Sequence, residues 1–242
     1  MKPIQMHLAP IIELLKQHSK NSDILVKRAY LSRQRIEFTL EHLKKYKISG
    51  KRVCEIGFGI IGIASHLELG ALVDAYDIDD AYKSLCNHLN ISWKYLNLEN
   101  KIESSLMPYQ YDLIILCEVI EHINRSPVEV LRELRQWLLP GGHLLISTVN
   151  LVRLSSRIRL MAGKELFARY TPQSFIEGHQ REYTLAEMNE YLRAAGYVEE
   201  DLFYFTEPDL LSSAPCRIGY TWSTKLFPTL SNFIFASAKN PD

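Results

Sequence analysis

The sequence has little cysteine, and none of it is paired. Cys54, Cys86, Cys117 and Cys216 are widely separated and form no CxxC element, which excludes a zinc ribbon or a disulfide framework. Three of them lie in or beside apolar runs, as buried thiols of a reducing compartment do. Charge of one sign is also missing. The 28 Lys and Arg residues balance the 28 Asp and Glu residues, and the pI is near 7.1. No global field draws the chain to nucleic acid or to an anionic membrane. The most apolar run, YDLIILCEVI, carries Asp112 and Glu118, so no segment is expected to span a bilayer. The stretch MKPIQMHLAPIIELLK has no secretory hydrophobic region, and the expected location is the cytoplasm. Repeats and low-complexity tracts are absent. What remains is an ordinary globular composition, 47% hydrophobic and 23% charged over 242 residues, enough for one domain with appendages or at most two small ones.

Residues 1–48 read as helical, with Leu8, Ile11, Ile12 and Leu15, then Ile36, Leu40 and Leu43, at three- and four-residue spacings. Asn21, Ser22 and Asp23 interrupt them. From residue 51 short apolar runs alternate with helical stretches: RVCEIG, a helix over 60–69, LVDAYDI, a helix near 80–89, a strand within ISWKYLNL, then YDLIILC. This alternation implies a mostly parallel sheet with helices on both faces. Ser126, Pro127 and Glu129 read as a capping box opening a helix that ends at the Leu139-Pro140-Gly141-Gly142 break, before a strand HLLISTV. Thr184 and Glu187 open another helix, closed by Gly196. YVEEDLFYF and SNFIFASA read as a final antiparallel strand pair. The expected organisation is a helical extension over 1–48 and one α/β domain over 49–242, interrupted by a lid insertion at about 151–183.

Gly57-Phe58-Gly59-Ile60-Ile61-Gly62 is a GxGxxG at a strand-to-helix junction, and Asp77 follows twenty residues after Gly57. Glycines allow close backbone approach, and the acidic side chain accepts hydrogen bonds from ribose hydroxyls, so a nucleoside ligand is expected at the carboxyl edge of the sheet. Dinucleotides and S-adenosylmethionine both fit. Glu55 separates them: a carboxylate two residues before Gly57 repels a pyrophosphate, whereas S-adenosylmethionine carries an ammonium and a sulfonium.

VCEIGFGIIG, AYDID, YDLIILCEVIEHI, LREL…LLPGGHLLISTVN and HQREYTLAEMNEYLRAAGY, in this order and spacing, resemble the class I S-adenosylmethionine-dependent methyltransferases. The likeness covers roughly residues 51–200 and is strongest to the branch with ubiquinone-biosynthesis, glycan and natural-product O-methyltransferases. The resemblance implies a Rossmann-like seven-stranded, mostly parallel sheet with a C-terminal antiparallel hairpin. It also implies that Glu55, Gly57 and Gly59 surround the methionine part of the cofactor and that Asp77 holds the ribose. Ile78 would pack on the adenine, Asn97 and Leu98 would border it, and Glu118 would stand near the transferable methyl.

Glu118, Glu121 and His122 follow the fourth strand, and one helical turn would converge them. Three readings stay open. Glu121 and His122 stabilise the loop; or His122 or His179 is a general base, as imidazole's pKa near ~6.5 suits; or Glu118, Glu121, His122 and His179 bind a divalent metal. The last set resembles the metal site of small-RNA 2′-O-methyltransferases.

Residues 151–181 hold Arg153, Arg157, Arg159, Lys164, Arg169 and Arg181 against Glu165 and Glu177. This basic excess reads as an amphipathic lid helix, and two readings stay open: a solvated basic face packed on the domain, or arginines, Arg153, Arg157 and Arg159, that recognise an anionic acceptor. Tyr204, Trp222 and a loop over 207–230 are expected near an apolar acceptor pocket. The expected activity is methyl transfer from S-adenosylmethionine to a hydroxyl oxygen of a small metabolite or sugar-containing acceptor, with no membrane or nucleic-acid partner and with homo-oligomerisation left open. The alternatives are a dinucleotide-dependent oxidoreductase and a non-catalytic, cofactor-binding partner subunit.

Overall fold

A computed structural model describes residues 8–102, 110–167, 178–207 and 214–241. The chain divides into two compact units, residues 1–97 with 110–115 and residues 98–109 with 116–242.

In the first unit the apolar spacings produce helices α1 (Leu8–His18), α2 (Ser22–Leu31) and α3 (Arg33–Leu43). Leu8, Ile11, Ile12 and Leu15 of α1 are buried, as are Ile36, Leu40 and Leu43 of α3. Asn21 makes the break between α1 and α2 with a φ of +53°, a left-handed conformation that asparagine tolerates. Strands β1 (Arg52–Ile56), β2 (Leu72–Asp77) and β3 (Ser92–Tyr95) alternate with helices α4 (Ile60–Leu69) and α5 (Lys83–His88). β1 lies between β2 and β4 (Tyr111–Cys117), parallel to both, and β3 extends the sheet in parallel beyond β2. Helices α1 and α3 pack on this layer through α5 and α4.

The second unit contains α6 (Pro127–Arg135), β5 (Leu138–Val149), α7 (Leu154–Met161), α8 (Leu185–Ala194), β6 (Val198–Phe205), α9 (Ala214–Leu226) and β7 (Phe233–Lys239). β7 is inserted between β5 and β6 and runs antiparallel to both. The seven-stranded order is β3-β2-β1-β4-β5-β7-β6. The α/β architecture with a mostly parallel sheet and antiparallel carboxyl-terminal strands is as expected.

Three local features differ from the sequence reading. The LPGG stretch lies inside β5, and α6 has already ended at Arg135. Gly141 takes a φ of +76°, its N–H donates to Asn240 O, and Asn240 N–H donates to Gly142 O. The end of β7 therefore keeps this glycine-rich stretch in the sheet. At α6 only half of the capping box forms: Ser126 Oγ accepts from Glu129 N–H at 3.4 Å, while the Glu129 carboxylate stands 4.0 Å from Arg125. The supposed loop over 207–230 contains the helix α9. Its Ile218, Trp222 and Leu226 are 62–70% exposed, and Tyr220 and Thr224 are buried on its other face. No helix among the described residues is long and apolar enough to cross a membrane.

At α8 the box is complete: Thr184 Oγ1 accepts from Glu187 N–H, and Glu187 Oε2 accepts from Thr184 N–H. Replacing Thr184 by Ala removes the cap and is expected to cost about 1 kcal/mol in urea unfolding. Ser126→Ala, which loses only a long single bond, is expected to cost roughly half as much.

Candidate active site

The first unit builds a cradle after β1. Gly57 has a φ of +74°, a conformation that side-chain-bearing residues resist. The N–H groups of Gly57 and Phe58 donate to Tyr76 O at 2.9 and 3.3 Å, tying the turn to the end of β2. The first N–H groups of a helix have no intrahelical acceptor and form a natural anion site. Here the chain supplies the acceptor itself. Glu55 Oε2 accepts from Gly59 N–H and from Gly62 N–H, both at 2.9 Å. Glu55 is 2% exposed. Burial pushes its pKa from 4.5 up to about 8, opposed by the two N–H groups and reinforced by the charge of Asp77. A Cβ at Gly62 would stand 2.3 Å from Glu55 Oε2 and 2.6 Å from the Phe58 ring, so any side chain at position 62 must displace both. At Gly59 a Cβ would meet nothing within 4 Å, and this side of the turn is open. Arg52, a conceivable partner for Glu55, instead bonds Asp74 at 2.9 Å and Gln110.

Asp77 ends β2. Its Oδ1 accepts from Asp79 N–H at 2.9 Å, and burial raises its pKa. Ile78 beside it is 59% exposed. Leu96 N–H donates to Asp77 O at 3.0 Å, which brings Asn97 to the same strand end. A carboxylate, an exposed aliphatic side chain, an amide and an open glycine backbone suit the ribose, adenine and methionine parts of S-adenosylmethionine. A dinucleotide fits poorly, because Glu55 already occupies the N–H donors that its pyrophosphate requires.

The second unit assembles the acidic and histidine residues. Leu98 is buried, and its carbonyl accepts from Arg125 Nη1 at 3.1 Å. Glu118 follows β4 with a φ of +57°, a strained backbone for a non-glycine residue of the kind that collects at functional positions. Its N–H donates to Ser147 O, and its Oε1 accepts from Ser147 Oγ, each at 2.9 Å. A single 3-10 turn, Ile120–His122, comes next. Glu121 is 1% exposed, and its Oε2 accepts from Thr148 Oγ1 at 2.8 Å. The Glu121 carbonyl accepts from Gln180 N–H at 2.7 Å and Arg181 N–H at 3.2 Å. Leu151 N–H donates to Tyr183 O at 2.9 Å. Segment 178–183 is thereby hung on the 120–122 turn and on the end of β5.

This docking sets His179 against His122, with ring centroids 5.0 Å apart and planes at 80°. His122 Nδ1 lies 3.2 Å from Gly178 O, and His179 Nδ1 lies 3.0 Å from Glu182 Oε1. A carbonyl oxygen can only accept, so His122 carries its proton on Nδ1. Glu182 is 3% exposed. Burial pushes its pKa up, but the hydrogen bonds from His179 and Arg153 outweigh this and hold it below the usual carboxylate range. An ionised carboxylate likewise only accepts, so the neutral His179 ring also carries its proton on Nδ1. In both rings Nε2 bears the lone pair. One ligand atom from each of Glu121, His122 and His179 lies within 4.8 Å of the others, and Glu118 stands outside this group. The expected convergence of four residues is thus one of three. A 3-10 turn does not bring residues 118 and 122 together as an α-helical turn would.

The three arginines expected to meet substrate are differently placed. Arg153 is turned inward: Nη1 donates to Glu182 Oε2 and, at 3.0 Å, to Asn150 O. Arg157 donates to Val152 O and Thr229 Oγ1, and Arg159 to Glu165 O, while both remain exposed. Arg169 and Glu177 lie outside the described residues. On α7, Ile158 is 56% and Met161 89% exposed. Sequence reasoning missed Glu182, Thr148 and Ser147. The available signal for Glu182 was its place three residues after His179.

The pKa of Glu55 makes a pH prediction. Between about pH 4.5 and 8 the folded protein holds a proton at this site that the unfolded chain has released, so stability falls as pH rises through this window and levels above it. Glu55→Gln retains an acceptor for Gly59 and Gly62 and cannot ionise. Its unfolding free energy is expected to lose that slope; an unchanged slope in urea titrations between pH 5 and 8 counts against the assignment.

Comparison with known proteins agrees with this geometry. Residues 27–200 match the family model described as "Methyltransferase domain". The chain is 25% identical over 166 residues to the ubiquinone biosynthesis O-methyltransferase of Marinobacter nauticus, covering 66% of this chain and 68% of that enzyme. It is 28% identical over 159 residues to the enzyme of the same name from Aeromonas salmonicida, covering 63% and 65%. The S-adenosylmethionine-dependent methyltransferase of Mesorhizobium loti superposes with a TM-score of 0.54 at 20% identity, covering 80% of this chain and 92% of that one. The Glu55 side chain on the N–H donors that a pyrophosphate would need and this family match leave the dinucleotide oxidoreductase without support: the chain belongs to the methyltransferase-domain family and is a class I S-adenosylmethionine-dependent methyltransferase.

Proposed function

We propose that the chain transfers the methyl group to a hydroxyl oxygen of a small-molecule acceptor in the cytoplasm, and that His179 takes the hydroxyl proton. The observation that carries this reading is the hydrogen bond between His179 Nδ1 and the buried Glu182, which leaves Nε2 as the basic atom. The enzymes similar in sequence are named as O-methyltransferases.

S-adenosylmethionine supplies a methyl group already activated on sulfur. The work left to the protein is alignment of acceptor and cofactor and removal of one proton. In this reading Gly57, Gly59, Asp77, Ile78 and Asn97 hold the cofactor in the first unit, with Glu55 bracing the turn. Leu98 and Glu118 are the corresponding candidates in the second unit. His179 Nε2 accepts the acceptor's proton, and the Glu182 carboxylate stabilises the resulting imidazolium. His122 is the second candidate base. Residues 1–48 are read as a helical extension and about 151–183 as a substrate lid insertion, with 1–7 and 168–177 outside the described residues.

The grouping of Glu121, His122 and His179 favours a second reading, a divalent metal. One carboxylate and two imidazoles with the lone pair on Nε2 form a suitable donor set. A bound metal would lower the pKa of the acceptor hydroxyl. These three residues would hold it, and Thr148 would orient Glu121.

The test measures S-adenosylhomocysteine release with a panel of phenols, catechols and hydroxy acids, and with an equivalent panel of amines. Turnover is expected with hydroxyl compounds; turnover with amines alone overturns the reading. His179→Gln is expected to lower kcat by about 100-fold. Activity that survives verified metal removal by EDTA leaves the histidine as a metal-free base, and loss restored by Mg²⁺ or Mn²⁺ assigns the trio as ligands.

Arg157 and Arg159 remain the proposed contacts for an anionic acceptor. Their joint replacement by Ala is expected to raise KM for a carboxylate-bearing acceptor roughly tenfold while leaving cofactor affinity unchanged. An unaltered KM removes them from the site.

A further inference from the structure

The pair behind His179 is costly to build. Glu182 is 3% exposed, and the Arg153 side chain is 18% exposed. A buried ion pair contributes little net stability, because both charges must be desolvated. The pair is also anchored well beyond its own needs. Arg153 Nη1 donates to Asn150 O, and Asn150, fully buried, donates through Nδ2 to Thr229 O and Ser231 O. The two carboxylate oxygens are divided: Oε2 faces Arg153 and Oε1 faces His179 Nδ1.

We propose that Glu182 and Arg153 are positioning residues for the reaction: Arg153 holds the Glu182 carboxylate so that it fixes the proton of His179 on Nδ1 and presents Nε2 as the reactive atom. This deepens, and rests on, the reading of His179 as the proton acceptor. The chemistry follows from donor and acceptor types. A guanidinium only donates, so whichever group occupies position 182 must turn an acceptor toward it. A carboxylate has a second acceptor left for His179. A carboxamide does not. In Glu182→Gln the amide oxygen faces Arg153, the NH2 faces His179 Nδ1, and the ring must place its proton on Nε2. Shape and volume are nearly unchanged, but the tautomer inverts. Removing the guanidinium as well frees the amide to turn its oxygen back to His179.

The experiment uses the full chain and needs no acceptor. Long-range ¹H–¹⁵N spectra of histidine-labelled protein report which ring nitrogen carries the proton. The second readout is the rate at which diethyl pyrocarbonate modifies His179, followed by mass spectrometry, since the reagent attacks the lone-pair nitrogen. Wild type is expected to show Nδ1–H and ready modification. Glu182→Gln is expected to show Nε2–H and modification slowed at least tenfold. The double variant Glu182→Gln, Arg153→Met is expected to recover the Nδ1–H tautomer and most of the rate. A wild-type ring with its proton on Nε2 overturns the proposal, as does a Glu182→Gln ring still protonated on Nδ1. Recovery of the double variant is not a result that a purely structural ion pair produces. Failure of the base reading shows separately: His179→Gln then turns over hydroxyl acceptors like wild type, whatever the spectra report.

Discussion

The carboxylate of Glu55 is the interaction on which the cofactor cradle depends. It starts on a β-strand, enters the following turn and binds two N–H groups that a helix start would otherwise offer to a ligand. Several sequence features then follow from one arrangement. Gly62 is glycine because the carboxylate lies against it, Phe58 is held close by the same crowding, and Gly59 is left as the open face. The burial that makes the contact tight also disfavours its charge. The turn is therefore held by a group whose protonation the fold itself opposes releasing.

The second unit uses backbone more than side chains for the same purpose. The carbonyl of Glu121 receives two N–H groups of segment 178–183, and the carbonyl of Gly178 receives the ring N–H of His122. A short turn after β4 and a short segment before α8 thus brace each other, and the histidines are carried in by that bracing. Arg153, just after β5, closes on Glu182 of that short segment.

Much of the fold was legible in the sequence because its signals are local. Ile, Val and Leu runs mark strands, Thr184 with Glu187 marks a helix start, and Gly196 marks its end. The LPGG stretch misled because two glycines and a proline normally break structure, and only a partner strand far along the chain holds them in the sheet. Helix α9 was missed because its spacing by four, Ile218, Trp222 and Leu226, lies on an exposed face. Within the site, the residue types were legible and their pairings were not. Arg153 and Arg157 look alike in sequence; one closes on Glu182, 29 positions away, and the other on Val152 and Thr229. Such long-range choices depend on packing, which no short motif encodes.

Segment 178–183 has a further consequence. Gly178 O orients one imidazole and Glu182 Oε1 the other, and the two atoms belong to the same few residues of chain. The histidines are therefore not independent parts that can be tuned one at a time. They form a single mechanical element with two outputs: lifting the segment from the 120–122 turn would release both rings together, and seating it would set both together.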